Sequence, residues 1–205
     1  MNNNTIPICR PLSMFWLCSV ISLVFGQLGG ALTLNSDNGS LLTITGLAGA
    51  LCILVQFYPF YRFSRVSERL QRAFTANVLA TIASIGGLLA MLLQPSVTPP
   101  YTSSGFYLLF SLIAFAGVIA LYVSQFWLYT GLDDVRAERG YNYPSRLIRW
   151  CFYGPLLCKI VSTLLPMIAP NRSLADYCVL FGQLFSLSLL ALFIRAAYQA
   201  EKQTA

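Results

Sequence analysis

Six long apolar stretches fill most of this chain of 205 residues, and they constrain its fold more than any other feature. Runs of about 20 apolar residues are long enough to cross the hydrocarbon layer of a bilayer as helices. They are too continuous for barrel strands, which alternate apolar and polar residues over roughly 10 positions. In lipid, each unpaired backbone group costs several kcal/mol, so each run has to satisfy its own hydrogen bonds. We therefore predict an all-α, polytopic helical membrane protein.

The predicted transmembrane helices form three hairpins with short connections between them. They are residues 12–34, 41–61, 73–93, 106–128, 147–168 and 174–194. Because none of the connections is long enough for a folded soluble domain, we predict a single integral membrane domain over residues 1–205. Charged residues make up 10% of the chain, against about 25% in a typical soluble domain. The first apolar run lacks a convincing cleavage site, which favours a membrane span over a signal peptide.

The basic residues predict the orientation of these helices. Short cytoplasmic flanks carry an excess of Lys and Arg, and here nearly all basic residues flank the same ends of the six spans. They are Arg10, Arg62, Arg65, Arg69, Arg72, Arg136, Arg139, Arg146, Arg149, Arg195 and Lys202. We therefore predict that both termini are cytoplasmic. This placement accounts for the net charge of +6 without a nucleic-acid partner.

The cellular location follows from this prediction only in part. A bacterial cytoplasmic (inner) membrane fits a small six-span chain. A eukaryotic endomembrane stays open, because Asn38-Gly39-Ser40 and Asn171-Arg172-Ser173 match glycosylation acceptors on the predicted outer side.

Several kinds of catalytic and metal chemistry are excluded because the chain contains no histidine. A Ser–His or Cys–His nucleophile pair cannot form, and neither can a histidine-ligated haem or metal site. The six cysteines include no C-x-x-C pair, so we interpret them as structural apolar residues. Asp133 and Asp134 give only the first part of an aspartate-rich prenyl-diphosphate motif, since Ala137 stands near the position of the next acid. We predict no catalytic residue, no metal site and no cofactor.

Lys159 is the one formal charge deep within a predicted span, roughly 18 Å along the fifth helix. Ionisable groups inside a membrane are costly and are functional-site candidates by default. Gln27 and Gln183 are predicted at a similar depth, and Asp176 at the outer mouth. We predict a polar binding site formed by these four residues for an anionic or carbonyl-bearing group. The alternative is a structural contact of Lys159, or a lysine that reaches the outer boundary.

Two further polar groups are predicted nearer the cytoplasm. Gln56, Asn77 and Gln125 form an inner polar tier, and amides there can bond between helices, for about 0.6 kcal/mol each. After the fourth span, residues 131–140 are predicted to continue as a helix that Gly140 ends. This cytoplasmic segment carries Asp133, Asp134, Arg136 and Arg139, whose charges are predicted to interact with one another and with the basic loops. Ser145 is a predicted N-cap for the fifth span.

Small residues mark helix faces that can approach closely, among them the Gly26-x-x-x-Gly30 pair in the first span. Such faces serve packing within the bundle or contact between copies of the chain. The chain therefore has membrane lipids and a membrane-protein partner or homo-oligomer as its predicted partners.

Three functions stay open. The first is a non-catalytic subunit, assembly partner or self-associating component of a membrane complex. The second is a small-solute transporter or channel with its site around Lys159. The third is a metal-dependent lipid-modifying enzyme that uses Asp133 and Asp134.

Overall fold

The computed structural model describes residues 7–33, 39–92, 105–168 and 172–204, and every regular element within these ranges is an α-helix. In chain order the helices are α1 (Cys9–Thr33), α2 (Gly39–Ser64), α3 (Glu68–Leu92), α4 (Gly105–Arg139), α5 (Ser145–Ile168) and α6 (Arg172–Thr204). Within these ranges, four stretches are long and apolar enough to cross a membrane: Cys9–Leu28, Ser111–Arg139, Ser145–Pro166 and Leu174–Gln203. The described part of the chain is thus all-helical, as predicted, while spans in α2 and α3 stay predictions.

The helices pair as three antiparallel hairpins, α1 with α2, α3 with α4 and α5 with α6. The hairpins meet one another through α2 and α3, α4 and α5, and α1 and α6, which gives a cyclic arrangement. Close pairing depends on glycine where two backbones approach. A Cβ atom on Gly182 of α6 would lie 2.8 Å from the Cβ of Cys158 and 3.0 Å from the Cα of Pro155 in α5. Gly131 of α4 is equally constrained, because its Cβ would lie 3.1 Å from the backbone nitrogen of Leu70.

We call the end of the bundle where α1, α3 and α5 begin and α2, α4 and α6 end the arginine-rich end, and the opposite end the far end. Helices α4 and α6 continue well past their predicted spans there. The continuation of α4 to Arg139 was predicted, and Gly140 does end it with a φ of 65°. The continuation of α6 to Thr204 was not predicted. The connections at the far end fall at 34–38, 93–104 and 169–171, outside the described residues.

The buried apolar core lies at the arginine-rich end. It is built from the beginnings of α1, α3 and α5, the ends of α2, α4 and α6, and the segment after Gly140. Aromatic rings fill its centre, with Phe60 in contact with Phe15 at 5.1 Å and Phe63 at 5.0 Å between ring centroids. Towards the far end, large apolar side chains such as Phe115 and Phe181 are about two-thirds exposed. This distribution suits helices whose outer faces meet lipid.

Candidate functional site

Two sets of polar residues are candidates for a site, and the first is a bonded network at the arginine-rich end. Its centre is Glu201, near the end of α6. Its Oε1 atom accepts hydrogen bonds from the Ile8 backbone N–H at 3.0 Å and from the Tyr141 hydroxyl at 3.1 Å. The Arg139 guanidinium lies 3.7 Å from the same oxygen. One carboxylate therefore links the chain before α1, the end of α4, the segment that follows it and α6.

A second carboxylate, Asp133, fixes the turn between α4 and α5. Arg136 donates to its Oδ1 at 2.8 Å, and the Ser145 hydroxyl donates to its Oδ2 at 2.6 Å. The Arg149 guanidinium lies 3.8 Å from Oδ2. The predicted charge interactions within this segment are present. Ser145 does begin α5, but its hydroxyl bonds to Asp133 across the turn instead of capping the first turn of the helix.

The neighbouring Asp134 is bonded to Arg69 of α3 at 3.0 Å. Both aspartates are therefore engaged by arginines of the same chain. Within the described ranges, no group of three or more Cys, Asp or Glu residues is arranged to hold a metal ion. The geometry gives no support to a metal-bridged phosphate site at Asp133 and Asp134.

Two tyrosines of the segment after Gly140 are buried against α6. The Tyr143 hydroxyl donates to the Leu189 carbonyl at 2.9 Å, and both tyrosine rings pack edge-on against Phe193. Burial of the hydroxyls raises the pKa of both Tyr141 and Tyr143 to about 12. At Tyr141 this effect outweighs Arg139, which lowers the pKa. These hydroxyls therefore act as neutral donors.

Further bonds join the helices near this end. The Trp16 indole N–H of α1 donates to the Leu187 carbonyl of α6 at 2.8 Å. The Ser124 hydroxyl of α4 donates to the Ala73 carbonyl of α3 at 2.7 Å. In the inner polar tier, Gln56 donates to the Ser19 hydroxyl at 2.7 Å and so ties α2 to α1.

The other two amides of that tier, Asn77 and Gln125, are half-buried, and neither side chain bonds to another member of the tier among the described residues. The tier is therefore three separate positions on three helices. Of these, only the Gln56 amide has a cross-helix hydrogen bond in the described part of the chain.

The second candidate set consists of Lys159, Gln27, Gln183 and Asp176. All four side chains are exposed on the outer surface of the helices. Within the described ranges, no hydrogen bond or ion pair joins any two of them. The structure does not gather them into a cavity.

The helix pairing shows how these residues are separated. Trp16 bonds to Leu187, and Gln27 and Asp176 each lie eleven residues, about 16 Å, further towards the far end. Eleven residues are three helical turns, so Gln27 and Asp176 return to the facing sides of α1 and α6. Gln183 is only about 6 Å beyond Leu187. Gln27 and Gln183 are therefore about 10 Å apart in depth, in contrast to the similar depth that we predicted.

Lys159 lies on a different side of the α5–α6 hairpin. Two helical turns before it, Phe152 packs against Phe126 of α4, with 5.6 Å between ring centroids. Positions seven apart share a helix face, so Lys159 lies on the α4 side of α5. By the same spacing, Asp176 and Gln183 share the side of α6 that bonds to α1. Lys159 therefore lies apart from Gln27, Gln183 and Asp176, which are on the side where α1 and α6 meet.

The network at the arginine-rich end contains residues that the sequence analysis did not select, above all Glu201, Tyr141 and Trp16. Glu201 follows the last predicted span by two helical turns, so a continued helix would have brought it to the same end as Arg139. The tyrosines flank a turn and are aromatic, which is a signal for burial. The partners of these residues are distant in sequence and could not be assigned from it.

The fold and these two sets of residues define a class: a helical protein that has, among its described residues, four helices able to cross a membrane, with hydrogen bonds that join the helices at the arginine-rich end. No protein family, no curated protein and no solved structure matches this chain.

Proposed function

We propose that this protein is a non-catalytic component of a membrane complex, acting as a subunit, an assembly partner or a self-associating unit. In this proposal the chain crosses the membrane six times with both termini in the cytoplasm, in a bacterial inner membrane. The observation that carries the proposal is the exposure of Lys159 on the outer surface of α5, about 21 Å from the start of that helix.

A lysine at that depth is costly in lipid. Insertion of Lys at the centre of a membrane helix costs about 2.5–3.5 kcal/mol. Within the described residues the side chain of Lys159 has no hydrogen-bond or ion-pair partner. A neighbouring helix that offers a carboxylate or an amide removes this cost, and charged residues in membrane helices usually face other helices.

Glycine packing also supports an external partner. Gly182 and Gly131 already pack against helices of the same chain, because a Cβ on either would collide with a neighbouring helix. Gly26 is different, since nothing lies within 4 Å of the position of its Cβ. It is adjacent to Gln27 and leaves α1 open to close approach by another helix. The packing of Gly30, the other half of the predicted pair, falls outside the described residues.

The hydrogen bonds and ion pairs of the carboxylates at the arginine-rich end favour a structural role for these residues over a catalytic one. Glu201, Asp133 and Asp134 all bind groups of their own chain, and they hold the helix ends together. A rigid end of this kind suits a scaffold for assembly. The transport hypothesis would need a shared passage, and the exposed positions of Lys159 and Gln183 do not favour one.

The proposal is tested by purification at native expression level in a mild detergent, followed by native electrophoresis. The wild-type chain is expected in a stoichiometric complex with a second protein or with itself. Lys159→Met is expected to weaken this complex without lowering the melting temperature of the isolated chain, while the matched Lys202→Met variant leaves it intact. A chain that runs as a monomer in every detergent contradicts the proposal. So does solute flux in liposomes that Lys159→Met abolishes, since that result favours a transporter.

A further inference from the structure

A surface cleft at the arginine-rich end has a composition that the proposed role does not use. It lies between the beginning of α1 and the end of α2 and has a volume of about 420 Å³. Arg10 and Met14 line it from α1, and Tyr58 and Arg62 line it from α2. Pro7, Pro11 and Pro59 complete its walls. The α1 side belongs to the stretch Cys9–Leu28 that is able to cross a membrane.

The cleft is cationic. No acidic residue lines it, and both of its arginines are exposed. Among the described residues, the ion pairs of the other arginines, such as Arg139 with Glu201 and Arg69 with Asp134, do not extend to Arg10 or Arg62. Two guanidinium groups at one cleft, without a carboxylate of the same chain, are suited to an anion. Guanidinium binds phosphate through paired N–H donors, which makes arginine the usual residue for this purpose.

One of the two guanidinium groups lies over an aromatic ring. The Arg62 guanidinium lies over the Tyr58 ring, 5.9 Å from its centroid. This cation–π contact holds the charge at the edge of the cleft without neutralising it. Pro59 adds a wall without a backbone N–H donor. The cleft therefore has a cationic rim and an apolar floor formed by Met14 and the prolines.

This combination matches an amphiphile better than a soluble anion. A phospholipid has a phosphate close to the glycerol and acyl chains, so both halves of the cleft would be occupied at once. Tyr side chains with an adjacent basic group are also typical of the level of the headgroups. The cytoplasmic leaflet is rich in anionic lipids, and each Arg near such a surface contributes about a fivefold gain in binding.

We propose that this cleft binds the phosphate of an anionic phospholipid from the leaflet at the arginine-rich end, with Arg10 and Arg62 as the phosphate ligands. The inference rests on the proposed insertion in a membrane, but not on the presence of a protein partner.

The test uses the full chain, purified and exchanged into nanodiscs of phosphatidylcholine that contain a minor fraction of phosphatidylglycerol. Bound lipid is then measured by native mass spectrometry after release into detergent. The wild-type chain is expected to retain phosphatidylglycerol preferentially. The double variant Arg10→Gln/Arg62→Gln is expected to lower this preference by roughly tenfold to thirtyfold, from the loss of two surface arginines.

The matched control is Arg146→Gln/Arg195→Gln, which removes two exposed arginines of the same end outside the cleft. This control removes the same charge from the same end but no cleft contact, so it is expected to lower the preference by less than the cleft variant does. Arg62→Lys serves as a second variant if the double variant does not fold. It keeps the charge but loses the paired donors, and a reduced preference is expected.

Equal retention of the two lipids by the wild-type chain would overturn the proposal, as would an equal loss in the cleft and control variants. Inorganic phosphate and glycerol phosphate are tested in parallel by thermal shift. Stabilisation by these soluble anions without lipid selectivity would assign the cleft to a free phosphate and overturn the lipid assignment. Native electrophoresis of the cleft variants separates this result from the proposed function, because the complex should persist when lipid binding is lost.

Discussion

The carboxylate of Glu201 is expected to be among the most important polar groups for the stability of the bundle. It accepts bonds from the Ile8 N–H and the Tyr141 hydroxyl and faces the Arg139 guanidinium, and its side chain is only 24% exposed. Hydrogen bonds to a charged group contribute about 1.5–3 kcal/mol each, and partial exposure favours the lower value. Two such bonds and an ion pair give a loss of about 3 kcal/mol for Glu201→Ala, which also removes the carboxylate that faces the largely buried Arg139.

This loss is measurable by thermal unfolding in mild detergent, followed by circular dichroism. For a chain of this size, 1 kcal/mol corresponds to roughly 2–4 °C, so the melting temperature should fall by roughly 6–12 °C. Glu201→Gln keeps an acceptor oxygen and is expected to lose about half as much. The control is Glu138→Ala, since Glu138 is an exposed acid at the same end without an ion-pair or hydrogen-bond partner in the described residues.

If Glu201→Ala and Glu138→Ala melt at the same temperature, the Glu201 carboxylate does not hold the helix ends together. A double-mutant cycle with Arg139→Met adds a second check. The coupling energy between the two sites should exceed about 0.5 kcal/mol, because the side chains are in direct contact.

Three other predictions concern packing, pH and a single hydrogen bond. Gly131→Ala should lower the melting temperature, because its Cβ would lie 2.8 Å from the Cγ of Leu70. Gly26→Ala has open space at its Cβ, so it should leave the free energy of unfolding unchanged or raise it by up to about 1 kcal/mol. Equal shifts in the two variants would contradict the packing. Burial raises the pKa of Tyr141 to about 12, so the contribution of this shift to stability is complete below about pH 10 and is lost between about pH 10 and 12. In urea unfolding at alkaline pH, the free energy of unfolding should fall less steeply with pH in Tyr141→Phe than in wild type. An equal slope in both proteins would refute this prediction. Trp16→Phe removes the 2.8 Å hydrogen bond to the Leu187 carbonyl of α6 and should lower the free energy of unfolding by about 1 kcal/mol in the same assay. An unchanged free energy of unfolding would contradict this hydrogen bond.

The pattern of apolar runs predicted much of the fold. Six helices, their hairpin order and the continuation of α4 to Gly140 follow from the length of the runs and from one glycine. These features are local, because a helix satisfies its own backbone bonds and a residue at positive φ is most often glycine. The extension of α6 was not predicted because charged and amide residues interrupt the apolar run after Ile194, and hydropathy does not distinguish a helix in water from a loop.

The candidate site was less predictable. Lys159, Gln183 and Asp176 stand out in the sequence as polar residues within apolar runs, but depth alone did not reveal that Lys159 lies on a different side of the α5–α6 hairpin from the other two. A side chain's direction depends on helix rotation, which is set by contacts such as Trp16 with Leu187 and Phe152 with Phe126. These contacts join residues far apart in the chain, and the amino-acid sequence alone does not indicate which residues will meet.

The sequence by itself determined the class of protein and the asymmetry of charge between its two ends, because solvation by lipid acts on each residue independently of its neighbours. Only the tertiary structure decided which polar groups are bonded and which stay exposed. Glu201, Asp133 and Tyr143 are bonded within the chain, and Lys159 and Arg62 have no carboxylate partner among the described residues. The physical reason is that hydrogen bonds and ion pairs require contact within a few ångströms, which hydropathy along the chain cannot specify.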